Sequence, residues 1–225
     1  MNCTHFGSAA FAALLAGALA VGASFAVAGD EKAPPQDKPA AGEAEQPAAP
    51  EAPAFTVKDL DGKDRTLAEF TGKWIVMEWV NPGCPYVKKF YAPGVMQDLQ
   101  RKFAEKGVVW LAVCSTNATH KDYKTAEQWK AYVAEAKVAA TAVLLDTDGT
   151  VGKAYGAMRT PEMRIICPKG TIQYVGAIDD NKDVAADPKA ARNYVAEFFD
   201  AVLADKVPTT TATTAYGCSI KYAQK

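Results

Sequence analysis

Apolar and polar positions divide the chain into stretches of different character. Ala9 to Val27 is small and apolar almost throughout, Gly29 to Pro53 shows no apolar period, and from Phe55 onward apolar runs alternate with turn residues. The first stretch closes on Ala26-Val27-Ala28, an A-x-A cleavage sequence, and residues 1–28 read as an export signal. No Lys or Arg precedes the run, and a membrane anchor is the rival reading, but alanine and glycine make a poor bilayer span. Residues 29–53 carry six prolines among Ala, Glu, Lys and Gln. They cannot bury a core and are expected to form a disordered tether. A folded domain is expected over 54–207, followed by a polar tail, 208–225, that carries Cys218.

Within the domain the periodicity predicts an α/β order. Phe55-Thr56-Val57 and Arg65-Thr66-Leu67 flank Asp61-Gly62, as arms flank a hairpin turn. Trp74 to Val80 is an apolar, β-branched and aromatic run that empties into Asn81-Pro82-Gly83 and then Cys84-Pro85. Strand, turn and helix start follow from that pattern, because proline is favoured at the first helical position. Pro93-Gly94 should kink or split the helix. Beyond it Met96, Leu99 and Phe103 share a face, and Lys106-Gly107 closes the segment. Val108 to Cys114 is apolar without interruption, as a strand covered on both faces must be, so a parallel sheet is expected. Thr125-Ala126-Glu127-Gln128 is a capping box opening a helix to about Lys137. Val143-Leu144-Leu145 is a short strand, and Val151 to Tyr155 a small helix. Thr160-Pro161 precedes a hairpin from Met163 to Ile178 that turns at Pro168-Lys169-Gly170. Asp187-Pro188 is expected to start the last helix, with Ala191, Val195, Phe198 and Val202 on one face. The whole reads as an α/β sandwich with a mixed sheet.

Composition narrows the functions. A formal net charge of −1 and a pI near 6.2 provide no basic field for nucleic acid. Five cysteines stand at 3, 84, 114, 167 and 218, against only two histidines, His5 and His120. Cys3 lies ahead of the apolar run, where a lipid attachment site would not be, and cleavage after Ala28 removes it. Cys114 and Cys167 end apolar strands and read as small core residues. His120 reads as a solvated loop side chain, and Asp179 to Asp183 as a solvated charged turn. Asp146-Thr147-Asp148-Gly149 begins like a calcium loop and lacks the later ligands. Asn117-Ala118-Thr119 fits a glycosylation acceptor, with nothing to indicate a eukaryotic host.

Cys84 carries the chemistry. As the residue before a helix that opens with Pro85, it faces unpaired backbone N–H groups, with Lys88 and Lys89 one turn on. Such surroundings lower a thiol pKa, and the thiolate is the nucleophile. The alternative is a buried strand-end cysteine that happens to precede a proline.

A strand ending in such a cysteine, a later Thr-Pro before a hairpin and a closing helix resemble the thioredoxin fold over about Phe55 to Leu203. The inserted helix and strand between Thr125 and Leu145, and the hairpin in front, resemble the alkyl hydroperoxide reductase/thiol-specific antioxidant branch. Asn81-Pro82-Gly83-Cys84-Pro85 with a terminal Gly217-Cys218-Ser219-Ile220-Lys221-Tyr222 resembles a group of exported redoxin-domain proteins of that branch. The resemblance implies that Pro161 is cis and lies against the nucleophile, leaving the Thr160 backbone free to pair with an extended substrate. It also makes Cys218 a candidate resolving cysteine on a mobile tail. Cys218 could instead be pinned by packing of Ile220 and Tyr222, or pair with Cys167 or Cys114 as a staple. Two departures stand out. Val87 occupies the place of the second cysteine of a Cys-x-x-Cys motif. Asn81 and Met77 replace the threonine and proline of the peroxiredoxin pocket.

These readings combine into an exported thiol oxidoreductase, periplasmic or extracellular and monomeric, that needs no cofactor or metal. Cys84 attacks a peroxide or a disulfide, and Cys218 or an external thiol donor resolves the intermediate. Asn81 donates to the leaving group, Lys88 supports the thiolate, and Thr160 and Pro161 shape the groove. The alternatives are a copper-handling protein using Cys84 and Cys218, and a non-catalytic binding module that keeps the fold.

Overall fold

The structure, a computed structural model, describes Cys3 and residues 49–223. The leader, apart from Cys3, and the tether up to residue 48 lie outside the described residues. Residues 49–53, expected as tether, are held by the domain. Pro50 O accepts from Ile172 N at 2.8 Å, Ala52 N donates to Gly170 O at 2.8 Å, and Pro53 O accepts from Tyr155 Oη at 2.8 Å.

The hairpin around Asp61-Gly62 forms from β1 (Thr56–Lys58) and β2 (Asp64–Thr66), antiparallel, with Asp59 Oδ1 accepting the Asp61 and Lys63 amides inside the turn. After one 3-10 turn at Leu67–Phe70, β3 (Ile75–Trp79) leads to Cys84. The helical segment is split, as Pro93-Gly94 requires, into α1 (Pro85–Tyr91) and α2 (Val95–Ala104), with Gly94 at φ 83° between them. Next come β4 (Val109–Cys114) and α3 (Ala126–Glu135), whose capping box closes through Thr125 and Gln128. β5 (Ala142–Leu145), α4 (Thr150–Ala154), the two-residue β6 (Arg159–Thr160), β7 (Glu162–Ile166) and β8 (Ile172–Gly176) follow. The last helix, α5 (Tyr194–Leu203), starts seven residues after Asp187, the expected start. Asn193 is its cap, accepting from Ala196 N, whereas Asp187 caps only a turn at Lys189 and Ala190. Both residue types cap helices, but the apolar face begins only at Val195, and Ala191 stays outside it.

The central sheet has the order β5-β4-β3-β7-β8. β3 is parallel to β4 and antiparallel to β7, the mixed α/β arrangement of a thioredoxin-like fold. Every residue of β3 and β4 is buried, as the unbroken apolar run of β4 predicts; in β3 the burial takes in Glu78 as well. Val76, Trp110 and Met163 pack on one face with Phe90, Phe103, Phe198 and Phe199. Ile75, Met77, Trp79 and Leu111 pack on the other with Phe55, Phe70 and Tyr155. Fully burying such side chains contributes about 1.5–3 kcal/mol each, which fixes the carboxyl ends of β3, β4, β5 and β8 on one rim.

Candidate active site

Cys84 sits on that rim. Val80 N still donates to Val113 O at 2.9 Å, and then the chain leaves the sheet. Asn81 Oδ1 accepts from Gly83 N at 2.8 Å, and Asn81 O accepts from Cys84 N at 2.9 Å, which tightens the turn. Cys84 is the extended N-cap of α1 (φ −77°, ψ 126°), with Pro85 at the first helical position. Only 2% of it is exposed, and its thiol donates to Thr160 O at 3.2 Å. The Thr160-Pro161 bond is cis, as the resemblance implied.

The Thr160 backbone is not free, contrary to expectation. The tail returns across the rim and forms β9 (Cys218–Ser219), antiparallel to β6, with Cys218 opposite Thr160 and Ser219 opposite Arg159. Gly217 makes this approach feasible: at φ 123°, a Cβ there would collide with Thr160 O. Nor is the tail loose. Thr213 N donates to Val175 O at 2.9 Å, along the edge of β8. Tyr216 Oη donates to Asp179, and its ring lies 5.8 Å from that of Tyr86 and 5.6 Å from Lys89 Nζ. Beyond Cys218, Ile220 N donates to Met158 O at 3.0 Å. Lys221 O accepts from Asn117 N at 2.9 Å and Asn117 Nδ2 at 2.6 Å. Tyr222 Oη donates to Ala157 O at 2.8 Å, with its ring over Gly149 and Gly152. Packing of Ile220 and Tyr222 and proximity to Cys84, read as alternatives for Cys218, therefore hold together.

Burial alone would push the Cys84 thiol up, but it lies below its ordinary range. The Cys218 side chain, Thr160 and the backbone of Val87 and Cys218 stabilise the thiolate. Thr160 Oγ1 is buried with no hydrogen-bond partner among the described residues, so its hydroxyl is available to a thiolate. Burial and the neighbouring Cys84 push Cys218 the other way, up to about 11.

Two of the expected supporting roles do not match the geometry. Lys88 is exposed, lining with Tyr91, Gln97 and Tyr132 a separate cavity of about 500 Å³. Its neighbours Val87 and Lys89 are the buried ones. Asn81 Nδ2 already donates to Asp122 Oδ2 at 3.4 Å, so the amide braces the turn. Lys89, instead of facing the thiolate, is buried in an ion pair with Asp179 at 3.4 Å and donates to Asn181 O at 2.6 Å. Asp179 is thus buried and not solvated. His120 Nδ1 accepts from Asp122 N at 3.1 Å, which places the histidine at the edge of the Cys84 turn. The sequence reading missed Tyr216, Asp122 and the Lys89–Asp179 pair. A legible signal did exist for the first: Tyr216 and Tyr222 bracket Gly217 to Lys221 directly after a run of Thr and Ala.

The other cysteines lie elsewhere. Cys114 ends β4, buried, with its thiol raised by burial. Cys167 is buried in the core, as its strand end predicts, and is in addition joined to Cys3 by a disulfide, with its sulfur 3.2 Å from Thr171 Oγ1. Asp146, first of the calcium-like run, accepts from Ser115 Oγ and from the amides of Val151 and Gly152, which makes it a brace for α4. Among the described residues no three His, Cys, Asp or Glu side chains are grouped as metal ligands.

Residues 49–175 match the AhpC/TSA family, the branch indicated by the motifs. Two relatives, each a thiol-disulfide oxidoreductase ResA, come from Bacillus thuringiensis subsp. konkukian and Bacillus cereus. Each is 30% identical over 122 residues, 54% of this chain and 65% of theirs, so the chain spans a little under two thirds of their length. A hypothetical protein of solved structure from Sinorhizobium meliloti 1021 is 26% identical with a TM-score of 0.68, covering 79% of this chain and 95% of that one. An uncharacterized conserved protein from Geobacillus kaustophilus, 24% identical with a TM-score of 0.69, shares the fold over 80% and 94% of the two chains.

Proposed function

The chain belongs to the AhpC/TSA family, and on that premise we propose that it is a monomeric thiol oxidoreductase whose working pair is Cys84 and Cys218. The observation that carries this reading is the register of β9, which sets Cys218 opposite Thr160, the residue whose carbonyl accepts the Cys84 thiol. The activity named for the two ResA relatives, thiol-disulfide oxidoreduction, is of the same kind.

The Cys84 thiolate attacks an oxidant. With a peroxide, its sulfur bonds to one oxygen, the O–O bond breaks, and the departing alkoxide or hydroxide takes a proton; Cys84 is left as the sulfenic acid. With a disulfide, a mixed disulfide forms and one thiolate leaves. In either case Cys218, as thiolate, then attacks the Cys84 sulfur, expelling hydroxide or the second thiolate, and the Cys84–Cys218 disulfide closes. A Cys84 shut under β9 favours a small oxidant over a protein strand, because the edge that would bind a strand is already paired. We further propose export to an oxidising compartment, where such a disulfide persists.

Titration of the full chain with hydrogen peroxide, and separately with glutathione disulfide, tests the reading by intact and peptide mass spectrometry with and without dimedone. Oxidation should fall first on Cys84 and close to Cys84–Cys218. The Cys218→Ser variant should stop at a trappable sulfenate or a glutathione adduct, and Cys84→Ser should lose activity by about 10³-fold or more. The intact mass of protein recovered from its host also reports whether the chain begins at Gly29. A Cys84 no more reactive than free cysteine would end the enzymatic reading and leave a binding module.

A further inference from the structure

We propose that the cavity in the crook between α1 and α2 binds a small aromatic carboxylate that also carries an N–H or O–H donor. The site is separate from Cys84, and its occupant does not depend on the thiol chemistry.

Pro93-Gly94 interrupts the helical segment, and the end of α3 closes the crook that this leaves. At about 500 Å³ the cavity falls within the roughly 300–1,000 Å³ of small-molecule pockets. Tyr91 and Tyr132 line it, with ring centroids 6.2 Å apart and planes tilted by 54°. An aromatic cleft of this kind suits a flat ring, which can pack edge to face.

Gln97 sets the need for a donor. It belongs to the cavity wall and is 5% exposed. Its Nε2 donates to Tyr91 O at 2.9 Å and to Ala136 O at 2.6 Å, which uses both amide hydrogens. Those bonds also cover carbonyls at the ends of α1 and α3 that would otherwise repel an anion. Gln97 Oε1 is buried and has no hydrogen-bond partner among the described residues. Buried acceptors are nearly always paired, and an N–H or O–H on an occupant is the partner this one lacks.

The charge comes from the lysines. Lys88, Arg101 and Lys137 line the cavity together with a single carboxylate, Glu135. Arg101 is paired with Asp98 at 2.6 Å, whereas Lys88 and Lys137 are exposed and have no ion-pair partner among the described residues. Lys137 follows the cap of α3 and stands at φ 52°. Glycine is favoured at that position, and any other side chain costs stability there. A lysine in its place sets a charge beside the cavity against that backbone cost. Ring, donor and carboxylate are each answered by a different part of the wall.

The test titrates the full chain with indole-3-acetate, followed by calorimetry and backbone amide NMR. Two comparison compounds each lack one feature: 1-naphthaleneacetate has no N–H, and indole-3-ethanol has no carboxylate. Indole-3-acetate should bind one to one, more weakly as salt is raised, and should shift the amides of Ala92, Gly94 and Ala136. Each comparison compound should bind about tenfold less tightly. Lys88→Gln combined with Lys137→Gly should weaken indole-3-acetate by about tenfold yet melt no lower than the wild type, because glycine suits the left-handed backbone. Cys84→Ser should bind like the wild type. No saturable binding, shifts centred elsewhere, parity of either comparison compound with indole-3-acetate, or unchanged affinity in the double variant overturns the proposal. None of these outcomes bears on the thiol reading, which stands or falls on the peroxide titration of Cys84.

Discussion

Glu78 stands in the middle of β3 with its carboxyl shut away from water, and Oε2 accepts from Tyr91 Oη at 3.1 Å, Trp110 Nε1 at 2.9 Å and Gln100 Nε2 at 3.3 Å. Oε1 has no partner among the described residues. Burial dominates these hydrogen bonds and raises the group from 4.5 to about 7. Between those two values the folded chain keeps a proton that the unfolded chain has lost, so stability falls as pH rises through the window. The contribution is whole below about pH 4.5 and gone above about pH 7. Glu78→Gln keeps an oxygen for the three donors and removes the titration. It should melt with the wild type at pH 5 and higher at pH 8, by on the order of 1–3 kcal/mol or roughly 3–8 °C. Thermal melts at the two pH values decide this; a pH-independent difference would mean that the carboxyl stays ionised. Nothing in Trp74-Ile75-Val76-Met77-Glu78-Trp79-Val80 announces such an arrangement, because the donors come from α1, α2 and β4. Cys84 was legible for the opposite reason: its proline, its turn and its strand are all within a few residues.

Between elements, the contact that matters for chemistry is the two-residue pairing of β9 with β6. Hydrophobic patterning has no purchase on a strand that short, whereas it located β3 and β4, and turn and cap residues located the split of α1 from α2 and the start of α3. The resemblance supplied the cis proline, yet it implied an open edge at Thr160 that the tail fills. The position of β9 depends on anchors outside it. Tyr216→Phe removes a hydrogen bond to the buried Asp179 carboxylate, worth about 1.5–3 kcal/mol for a charged acceptor. Part of that loss should appear as a loosened tail. Closure of the Cys84–Cys218 disulfide should slow by about tenfold, while the first oxidation of Cys84 keeps its rate. Gly217→Ala should have the stronger effect, since its Cβ has no room beside Thr160 O. Stopped-flow rates for the two steps, with hydrogen exchange over residues 211–222, separate a loosened strap from general destabilisation. Equal slowing of both steps would refute a positioning role for Tyr216.

Over the whole molecule, the carboxyl ends of β3, β4, β5 and β8 form one rim, and the tail touches the loop or helix start beyond each of them: Tyr86 after β3, Asn117 after β4, Gly149 and Gly152 after β5, and Asp179 after β8. The two sulfurs it brings together are about 130 residues apart in sequence. A Cys-x-x-Cys disulfide closes a tiny ring and scarcely restrains an unfolded chain. A bond of this span would tie nearly the whole domain into one loop, worth up to about 5 kcal/mol of lost unfolded-state entropy. Oxidised protein should therefore melt well above reduced protein, by roughly 10 °C or more, with the gap narrowed in Cys218→Ser to what the Cys3–Cys167 disulfide contributes. Calorimetry of both forms measures it, and coincident melts would show that the bond does not bridge the fold. By the same cycle, each proton-and-electron exchange at the rim changes how tenaciously the domain holds its shape, so heat tolerance becomes a gauge of redox state.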